Sequence, residues 1–340
     1  MNQTEAVCGF GEIRALVESI APMHASLFES TMQEWNTRTK PPGSLGRLET
    51  IAAWVASVQG RKGGPEVEFQ ALRLFAGAHG IAEEGVSMCP SHINGQMVRN
   101  FHNGGAAINA LCRSNGIDFG AYDVGVDNPT RNFLNASAMD ESEVYEAFLL
   151  GWNSVPEFAD LFAVGEMGIG NTTPSAAIIS VITGTPVETI TGRGAGLTDE
   201  LLDKKTQTLK QAILNRQSEL TDPLSILASI GGREIVAMTG AIMSAASKDI
   251  PVVLDGVISG AAAAIAFELQ PSVIGKCIAG HRSAEPAHEA FLAHYNLDPI
   301  LNLGMRLGEG TGAAVAMGVV RNAVDAFRQM ATFEQAGVVM

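Results

Sequence analysis

Short apolar runs, each followed at once by glycines, recur along this chain and constrain its fold more than any other feature. The chain has 37 glycines. The runs at 72–76, 161–164, 187–191, 252–255 and 273–278 all end at or within a few residues of glycine turns. Helical stretches follow most of them, at 174–181, 198–217, 257–269 and 284–295. This repeated alternation predicts an α/β fold of Rossmann-like type, in which a parallel sheet carries helices on both faces.

The two ends of the chain show a different pattern. Apolar residues at helical spacing occupy 12–35 and 45–58, and they recur at 313–329. Residues 40–43, Lys-Pro-Pro-Gly, separate the first two segments, because proline and glycine interrupt helices. We therefore predict a small helical domain formed by residues 1–60, to which residues 313–340 return. Residues 61–312 form a large α/β domain that carries the functional site.

The charge balance restricts the classes of function. The chain carries 36 acidic and 22 basic residues, and its formal net charge is −14. A surface of that sign repels phosphate backbones and anionic lipid, so we expect neither nucleic acid nor a membrane as a partner. Four cysteines lie far apart without a C-x-x-C pair. Together with the lack of a recognisable secretory or transmembrane segment, this predicts a cytoplasmic protein.

Two of the glycine turns are candidates for binding an anion, because ligands of such sheets lie beyond the carboxyl ends of the strands. Residues 170–174, Gly-Asn-Thr-Thr-Pro, are typical of a helix N-terminus with Pro174 at the first helical position. Residues 192–196 form a second candidate cradle, to which Lys205 adds a positive charge. The alternative is that these glycines only make tight turns. The chain contains neither G-x-x-x-x-G-K-[ST] nor G-x-G-x-x-G, which argues against an NTPase or a dinucleotide site.

Asp255 and Ser283 are candidates for contacts with a sugar phosphate. Asp255 stands alone at the end of an apolar run, where a single carboxylate can bind ribose hydroxyls. An aspartate that caps the following helix is the alternative interpretation. Ser283, close to His281, offers a hydroxyl for a phosphate or a ribose. The histidines lack the spacing of a zinc site, so we predict no metal.

Glu309 is the most prominent candidate for catalysis. It lies in residues 307–312, Leu-Gly-Glu-Gly-Thr-Gly, where the flanking glycines leave its carboxylate free to point into a cleft. Burial would raise its pKa and a nearby helix N-terminus would lower it, and the sequence leaves this balance open. The alternative is a surface carboxylate that caps a helix. Glu166 has the same glycine framing, so a glycosidase with two carboxylates is a rival hypothesis.

Seven strings of residues occur in an order that resembles one family. They are KPPGSLGRL at 40–48, HG at 79–80, GEMGIGNTT at 165–173, GRG at 192–194, DG at 255–256, GHRS at 280–283 and LGEGTG at 307–312. Together they resemble the nicotinate-nucleotide–dimethylbenzimidazole phosphoribosyltransferase family over residues 40–320. The resemblance implies a parallel-sheet domain with a small helical domain, and a cytoplasmic homodimer that needs neither a cofactor nor a metal.

The resemblance also implies a reaction and a set of site residues. The family transfers 5-phosphoribose from nicotinate mononucleotide to 5,6-dimethylbenzimidazole with inversion at C1′. The products are nicotinate and α-ribazole 5′-phosphate, which is used to build the nucleotide loop of cobalamin. Glu309 matches the catalytic base of the family. The positions that match its phosphoribosyl site are Glu166, Gly168, Thr172, Gly194, Lys205, Asp255, Gly256 and Ser283, and those near its base pocket are Ser87, Gln96 and Leu307.

Two departures from the family pattern lie on the side where the base would bind. Ala78 stands where Asp or Asn usually precedes the histidine of the 79–80 turn, and Ile93-Asn94-Gly95 replaces a stretch that usually begins with Val-Thr. Both leave the phosphoribosyl positions intact. They keep open which base is accepted, with unsubstituted benzimidazole, adenine or a phenol as alternatives. They also motivate a second hypothesis, a non-catalytic sensor of nucleotides or bases on the same fold.

Overall fold

Five parallel strands form the single sheet of the described chain, which comprises residues 9–61, 63–194 and 196–339 of a computed structural model. The strands are β1 (Gln70–Ala76), β2 (Ile117–Asp123), β3 (Leu161–Met167), β4 (Val252–Leu254) and β5 (Cys277–Ala279). Their order in the sheet is β2-β1-β3-β4-β5, and every pairing is parallel. β2 and β3 follow β1 along the chain but lie on opposite sides of it in the sheet. A ligand crevice is expected where the strand order reverses in this way, here beside β1 and β3.

Helices connect and cover these strands. They are α1 (Phe10–Val17), α2 (Ala25–Trp35), α3 (Arg47–Gln59), α4 (Ile93–His102), α5 (Ala107–Asn115), α6 (Glu141–Asn153), α7 (Thr172–Thr183), α8 (Val187–Ile190), α9 (Asp199–Arg216), α10 (Pro223–Ile230), α11 (Arg233–Ser247), α12 (Val257–Leu269), α13 (Pro286–His294), α14 (Thr311–Gln329) and α15 (Phe333–Ala336). Within the described residues, no helix combines the length and the apolar character that crossing a bilayer requires.

Alternate residues of the strands point into two separate cores, as a doubly wound sheet requires. Phe162 and Val164 of β3 pack into one core with α6, α7, α11 and α12. Leu161 and Ala163 pack into the other core with α2, α3, α5 and α14. Helices therefore cover both faces, which confirms the predicted fold class.

The helices from the chain ends do not all lie together. Residues of α2, α3 and α14 share the second core with the sheet, whereas Ile13 and Val17 of α1 belong to the first. The alanine-rich α12 is buried almost throughout, as a helix packed closely on a sheet would be. We predicted one domain from residues 1–60 and 313–340 and another from residues 61–312. This division is a statement about which parts of the chain fold independently, and it stays a prediction.

Three local predictions are wrong. In the apolar run at 273–278, residues 273–276 belong to a 3₁₀ helix (Pro271–Lys276), and only Cys277 and Ile278 lie in β5. Residues 187–191 do not form a strand, since Val187–Ile190 is the short helix α8, with Pro186 at its N-cap. The three-residue spacing of buried Val187 and Ile190 places both on one side of this single turn. Pro174 occupies the third rather than the first position of α7, whose N-cap is Asn171. The Asn171 side chain makes no capping bond and contacts Glu166 instead.

Candidate active site

A cavity of about 450 Å³ opens at the carboxyl ends of β3, β4 and β5, a volume typical of small-molecule sites. The segments after these strands, the loop before α14 and residues near α4 form its wall. Ten of the twelve predicted site residues line it, whereas Lys205 and Gln96 do not. The ten are Ser87, Glu166, Gly168, Thr172, Gly194, Asp255, Gly256, Ser283, Leu307 and Glu309.

The backbone around Glu309 has an uncommon conformation. Gly308, Glu309 and Gly310 have φ angles of +83°, +61° and +80°, and this left-handed region costs an L-residue about 1–2 kcal/mol. A Cβ on Gly165 of β3 would lie 2.5 Å from the carbonyl oxygen of Glu309. The glycine at 165 thus allows the loop to press directly onto the sheet, where it borders the cavity.

The Glu309 side chain is buried and incompletely hydrogen-bonded. Its residue is 7% exposed, and Oε2 has no hydrogen-bond partner within the described residues. Gly310, not Glu309, is the N-cap of α14, so the alternative of a surface capping carboxylate is wrong. Burial raises the pKa of Glu309, a hydrogen bond from the Ile108 backbone lowers it, and the neighbouring Asp255 raises it. A buried carboxylate with a free oxygen and a raised pKa is suited to accept a proton.

Glu166 lies on β3 in contact with the same loop. Asn171 Nδ2 donates a hydrogen bond to its Oε2, and a Cβ on Gly308 would overlap its Oε1. Burial raises the pKa of Glu166 to about 8; the Asn171 bond opposes this increase, and the charge of Asp255 adds to it. At pH 7 the carboxyl is therefore mostly protonated. It can donate a hydrogen bond, which an ionised carboxylate cannot do.

Asp255 connects β4 to the start of α14. Its Oδ1 accepts a hydrogen bond of 2.9 Å from Ala313 N and lies 3.5 Å from His281 Nε2. Asp255 therefore caps a helix, but this helix is α14 and not the following α12, whose N-cap is Gly256. Burial raises the pKa of Asp255, whereas His281 and the backbone hydrogen bonds lower it.

Lys205 on α9 stands behind the cavity wall. Its Nζ donates to Thr172 Oγ1 at 2.8 Å and to the Gly192 carbonyl at 3.1 Å. Burial lowers the pKa of Lys205 to about 8, and the negative Glu285 opposes this decrease. Thr172 and Gly194 lie between this ammonium and the cavity. The arrangement provides a positive charge, a hydroxyl and a backbone N–H, which is a donor set suited to an anion.

Another part of the wall is mainly apolar. Ser87 and Leu307 border it together with Ile93 and Met97 of α4. Gln96 is exposed and does not line the cavity, because α4 presents Ile93 and Met97, one turn apart, on that side. This wall can contact the flat faces and edges of an aromatic base, while Ser87 supplies a hydroxyl.

Of the two departures from the family pattern, the one in α4 has a structural role. Asn94 is fully buried, and its Oδ1 accepts a hydrogen bond of 3.0 Å from Ile169 N. The side chain thereby holds the backbone of the 165–173 segment against α4. Ala78 is 4% exposed and precedes His79, whose ring is hydrogen-bonded to the buried Glu234.

The hydrogen-bonded pair His79 and Glu234 was not predicted as part of the site, and neither were two charged side chains of the cavity wall, Glu285 and Arg306. His79 Nε2 and Glu234 Oε1 are 2.6 Å apart, and a Cβ on Gly168 would lie 3.1 Å from each atom. Glu285 and Arg306 line the cavity itself. The sequence did contain a signal for both, because each lies within three residues of a predicted site residue, Ser283 or Leu307. Among the described residues no group of three or more His, Cys, Asp or Glu is arranged to hold a metal ion.

Comparisons with known proteins agree with this geometry. A family model described as phosphoribosyltransferase matches residues 20–338. The nicotinate-nucleotide–dimethylbenzimidazole phosphoribosyltransferase of Cereibacter sphaeroides is 45% identical over 325 residues, which cover 96% of both chains. The enzyme of that name from Brucella canis is 42% identical over 329 residues, 97% of both chains. The crystal structure of CobT from Thermus thermophilus superposes with a TM-score of 0.88 at 37% identity, covering 92% of this chain and 99% of that one.

Proposed function

The chain belongs to the nicotinate-nucleotide–dimethylbenzimidazole phosphoribosyltransferase family, and from this premise we propose how its site performs the transfer. The substrates are nicotinate mononucleotide and an aromatic base, 5,6-dimethylbenzimidazole or an analogue. The products are nicotinate and the α-linked base ribotide, α-ribazole 5′-phosphate when the base is dimethylbenzimidazole. The observation that carries the proposal is the partly unpaired, buried carboxylate of Glu309 in the cavity.

Glu309 acts as the general base. One ring nitrogen of the benzimidazole attacks C1′ of the ribose, and the other nitrogen must lose its proton. The Glu309 Oε2 is free to accept that proton, and its raised pKa brings its basicity closer to what the step needs. The negative carboxylate also favours the positive charge that develops on the ribose in the transition state.

The leaving group needs no acid. The pyridinium nitrogen of nicotinate mononucleotide is cationic, so the ring departs without receiving a proton. Attack from the face opposite the leaving group inverts C1′ from β to α. The two bases must therefore lie on opposite faces of the sugar, and a site that fixes the sugar between them supplies much of the rate enhancement.

The phosphoribosyl group is held by the remaining predicted residues. Protonated Glu166 and the buried Asp255 border the cavity where ribose hydroxyls can bind, since one can donate and the other accept. Thr172, Gly194 and Ser283 face the phosphate, with Lys205 behind them. We assign Glu166 to positioning rather than to acid catalysis, because the departing nicotinate takes no proton.

The variant Glu309→Gln tests the proposal. Removal of the base is expected to lower kcat by roughly 10²–10⁴ while nicotinate mononucleotide still binds. Release of nicotinate in the presence of dimethylbenzimidazole measures kcat, and calorimetry measures binding. Glu289→Gln, an exposed charge on α13, is the matched control and should keep normal turnover. Turnover of Glu309→Gln close to that of the unmodified protein would remove Glu309 from the mechanism.

Family membership does not favour the two alternative functions, and the same assay separates them. A nucleoside glycosidase would release the pyridine base with water as acceptor, without dependence on an added aromatic base. A sensor would bind both compounds without forming nicotinate. A panel of aromatic bases with product identification would show which base is preferred, since the apolar wall of Ile93, Met97 and Leu307 is the part that contacts it.

Three further parts of the proposal rest on the family rather than on the site. We propose that the protein is a homodimer, which light scattering would test, and that it acts in the cytoplasm. We also propose that the reaction needs neither a metal nor a cofactor. Nucleic acid and membranes are not expected as partners, because the net charge of −14 opposes both.

A further inference from the structure

Glu285 lies at the N-terminus of α13, but its side chain does not cap this helix. It is the N-cap of α13, yet its side chain makes no capping hydrogen bond there. Instead, Glu285 Oε1 accepts a hydrogen bond of 3.0 Å from Gly194 N. A Cβ on Gly192 would overlap the Glu285 carboxylate, so this group lies directly against the 192–194 loop. The carboxylate is thus bound by a loop from a distant part of the chain.

The donors around this carboxylate are those that would bind a phosphate. Gly194 has a φ of +52°, and a Cβ on it would lie 3.0 Å from Thr172 Oγ1 and 3.9 Å from Lys205 Nζ. The loop N–H, the hydroxyl and the ammonium therefore converge within a few ångströms. The charge of Glu285 favours the protonated form of Lys205. Glu285 is a negative group in a cradle suited to anions.

We propose that Glu285 competes with the 5′-phosphate of the donor for the 192–194 loop, and that the donor must displace it to bind. This inference rests on the proposed function, since it takes the phosphate to lie at Gly194. A dianionic phosphate can replace the carboxylate at the Gly194 N–H, whereas an uncharged riboside has no group to exchange for it. Glu285 therefore acts as a specificity-determining residue that selects phosphorylated donors.

Arg306 gives the displaced carboxylate another partner. Glu285 and Arg306 both line the main cavity and a neighbouring cavity of about 420 Å³. The ion pairs found within residues 9–61, 63–194 and 196–339 do not include Arg306, and its side chain is exposed. A change of side-chain torsion angles at Glu285 can exchange the Gly194 contact for this guanidinium. After this exchange, the Gly194 N–H and the Lys205 ammonium are available to bind the phosphate.

The variant Glu285→Gln isolates the charge, because its amide oxygen can still accept the hydrogen bond from Gly194 N. Calorimetric titration with inorganic phosphate is expected to show a Kd on the order of ten-fold lower than that of the unmodified protein, since the competing anion is gone. The KM for nicotinate mononucleotide should fall in the same direction. Glu289→Gln removes an exposed charge from the same helix, one that pairs with Arg282 rather than with the Gly194 N–H, and it should leave the phosphate Kd unchanged.

The opposite outcome overturns the proposal. If Glu285 only organises the loop, Glu285→Gln will bind phosphate as before or more weakly, and Glu285→Ala will bind it more weakly still. Glu285→Gln could bind phosphate more tightly while neither the variants nor the unmodified protein form nicotinate. That result would support the competition and refute the proposed reaction. Normal nicotinate formation with an unchanged phosphate Kd would refute the competition and leave the reaction standing.

Discussion

Glu166 and Glu309 show how far a residue's role can be predicted from its neighbours in sequence. Both are framed by glycines, and this framing made Glu166 a rival to Glu309, the most prominent candidate. The structure separates them through contacts from distant segments. Asn171 donates to Glu166, whereas Glu309 Oε2 has no hydrogen-bond partner within the described residues. The direction of their pKa shifts also depends on burial, which the sequence left open for Glu309.

Glu166→Gln is expected to change how stability depends on pH. The folded-state pKa of Glu166 is about 8, against an ordinary value of 4.5. A raised pKa contributes stability that is fully present below pH 4.5 and is lost as the pH rises toward 8, because the unfolded chain releases the proton first. Across this interval the free energy of unfolding falls by roughly 1.4 kcal/mol per pH unit more in the unmodified protein than in the variant. Urea unfolding at pH 5, 6, 7 and 8 measures the difference.

A control variant separates this titration from a general loss of charge. Glu289→Gln removes an exposed carboxylate and should reproduce the pH dependence of the unmodified protein. If Glu166→Gln and the unmodified protein give parallel curves, Glu166 is ionised in the folded state and cannot donate a hydrogen bond to ribose.

At the scale of elements, the sequence predicted most strands in which an apolar run is followed by glycines. It did not predict elements that lack such a run or lack the alternation of apolar and polar residues. The predicted bounds of α12 agree with the structure, and β1, β3 and β4 are found where the apolar runs lie. β2 was missed because it is an edge strand, half-exposed, with Gly120 in its middle and Asp118 among its residues. α11 was missed because it is buried on nearly every side, which removes the alternation of apolar and polar residues that marks a surface helix.

The error at 187–191 has a different cause. Val187, Thr189, Ile190 and Thr191 have high β-propensity, and a glycine cluster follows them as it follows the true strands. Pro186 starts a single helical turn, in which Thr191 N donates to the Val187 carbonyl at 3.0 Å. Tertiary context decides the structure of so short a segment. The candidate site was affected little, since Gly194 still reaches the cavity wall.

The contact between β3 and the loop before α14 predicts the effect of Gly165→Ala. The added methyl group would lie 2.5 Å from the Glu309 carbonyl oxygen and 3.0 Å from Gly310 N, so the loop must move away from the sheet. We expect a stability loss of about 1–3 kcal/mol. A displaced general base should also lower kcat on the order of 100-fold. Chemical unfolding and steady-state assays of nicotinate release measure the two effects.

Gly11→Ala is the matched control for this variant. Gly11 lies inside α1, and a Cβ there meets nothing within 4 Å. The same substitution should therefore keep kcat unchanged and add a few tenths to about 1 kcal/mol of stability. If Gly165→Ala retains the normal kcat, the close approach of the loop to β3 does not position Glu309.

For the whole molecule, stability against pH depends on buried groups that titrate in opposite directions. His288 is fully buried, and Ser283 N donates a hydrogen bond of 3.0 Å to its Nδ1. Burial, together with the neighbouring His281 and Arg282, lowers the pKa of His288 to about 3. A lowered pKa contributes stability that is present above pH 6.5 and is lost as the pH falls toward 3. Between pH 4.5 and 6.5 this loss opposes the gain that Glu166 gives on acidification, and these two contributions nearly cancel there.

His288→Asn is expected to remove one side of this balance. The asparagine amide oxygen can accept the Ser283 N–H bond, and the variant has no group that must stay uncharged in the folded state. From pH 6.5 to 5.0 the unmodified protein should therefore lose about 1.6 kcal/mol more of its unfolding free energy than the variant does, because the unfolded chain alone gains a proton at this position. Urea unfolding at both pH values measures the difference, and other titrating groups contribute equally to both proteins. Equal losses would mean that His288 is protonated in the folded protein, in which case its Nδ1 could not accept from Ser283 N and the loop after β5 would be held in another way.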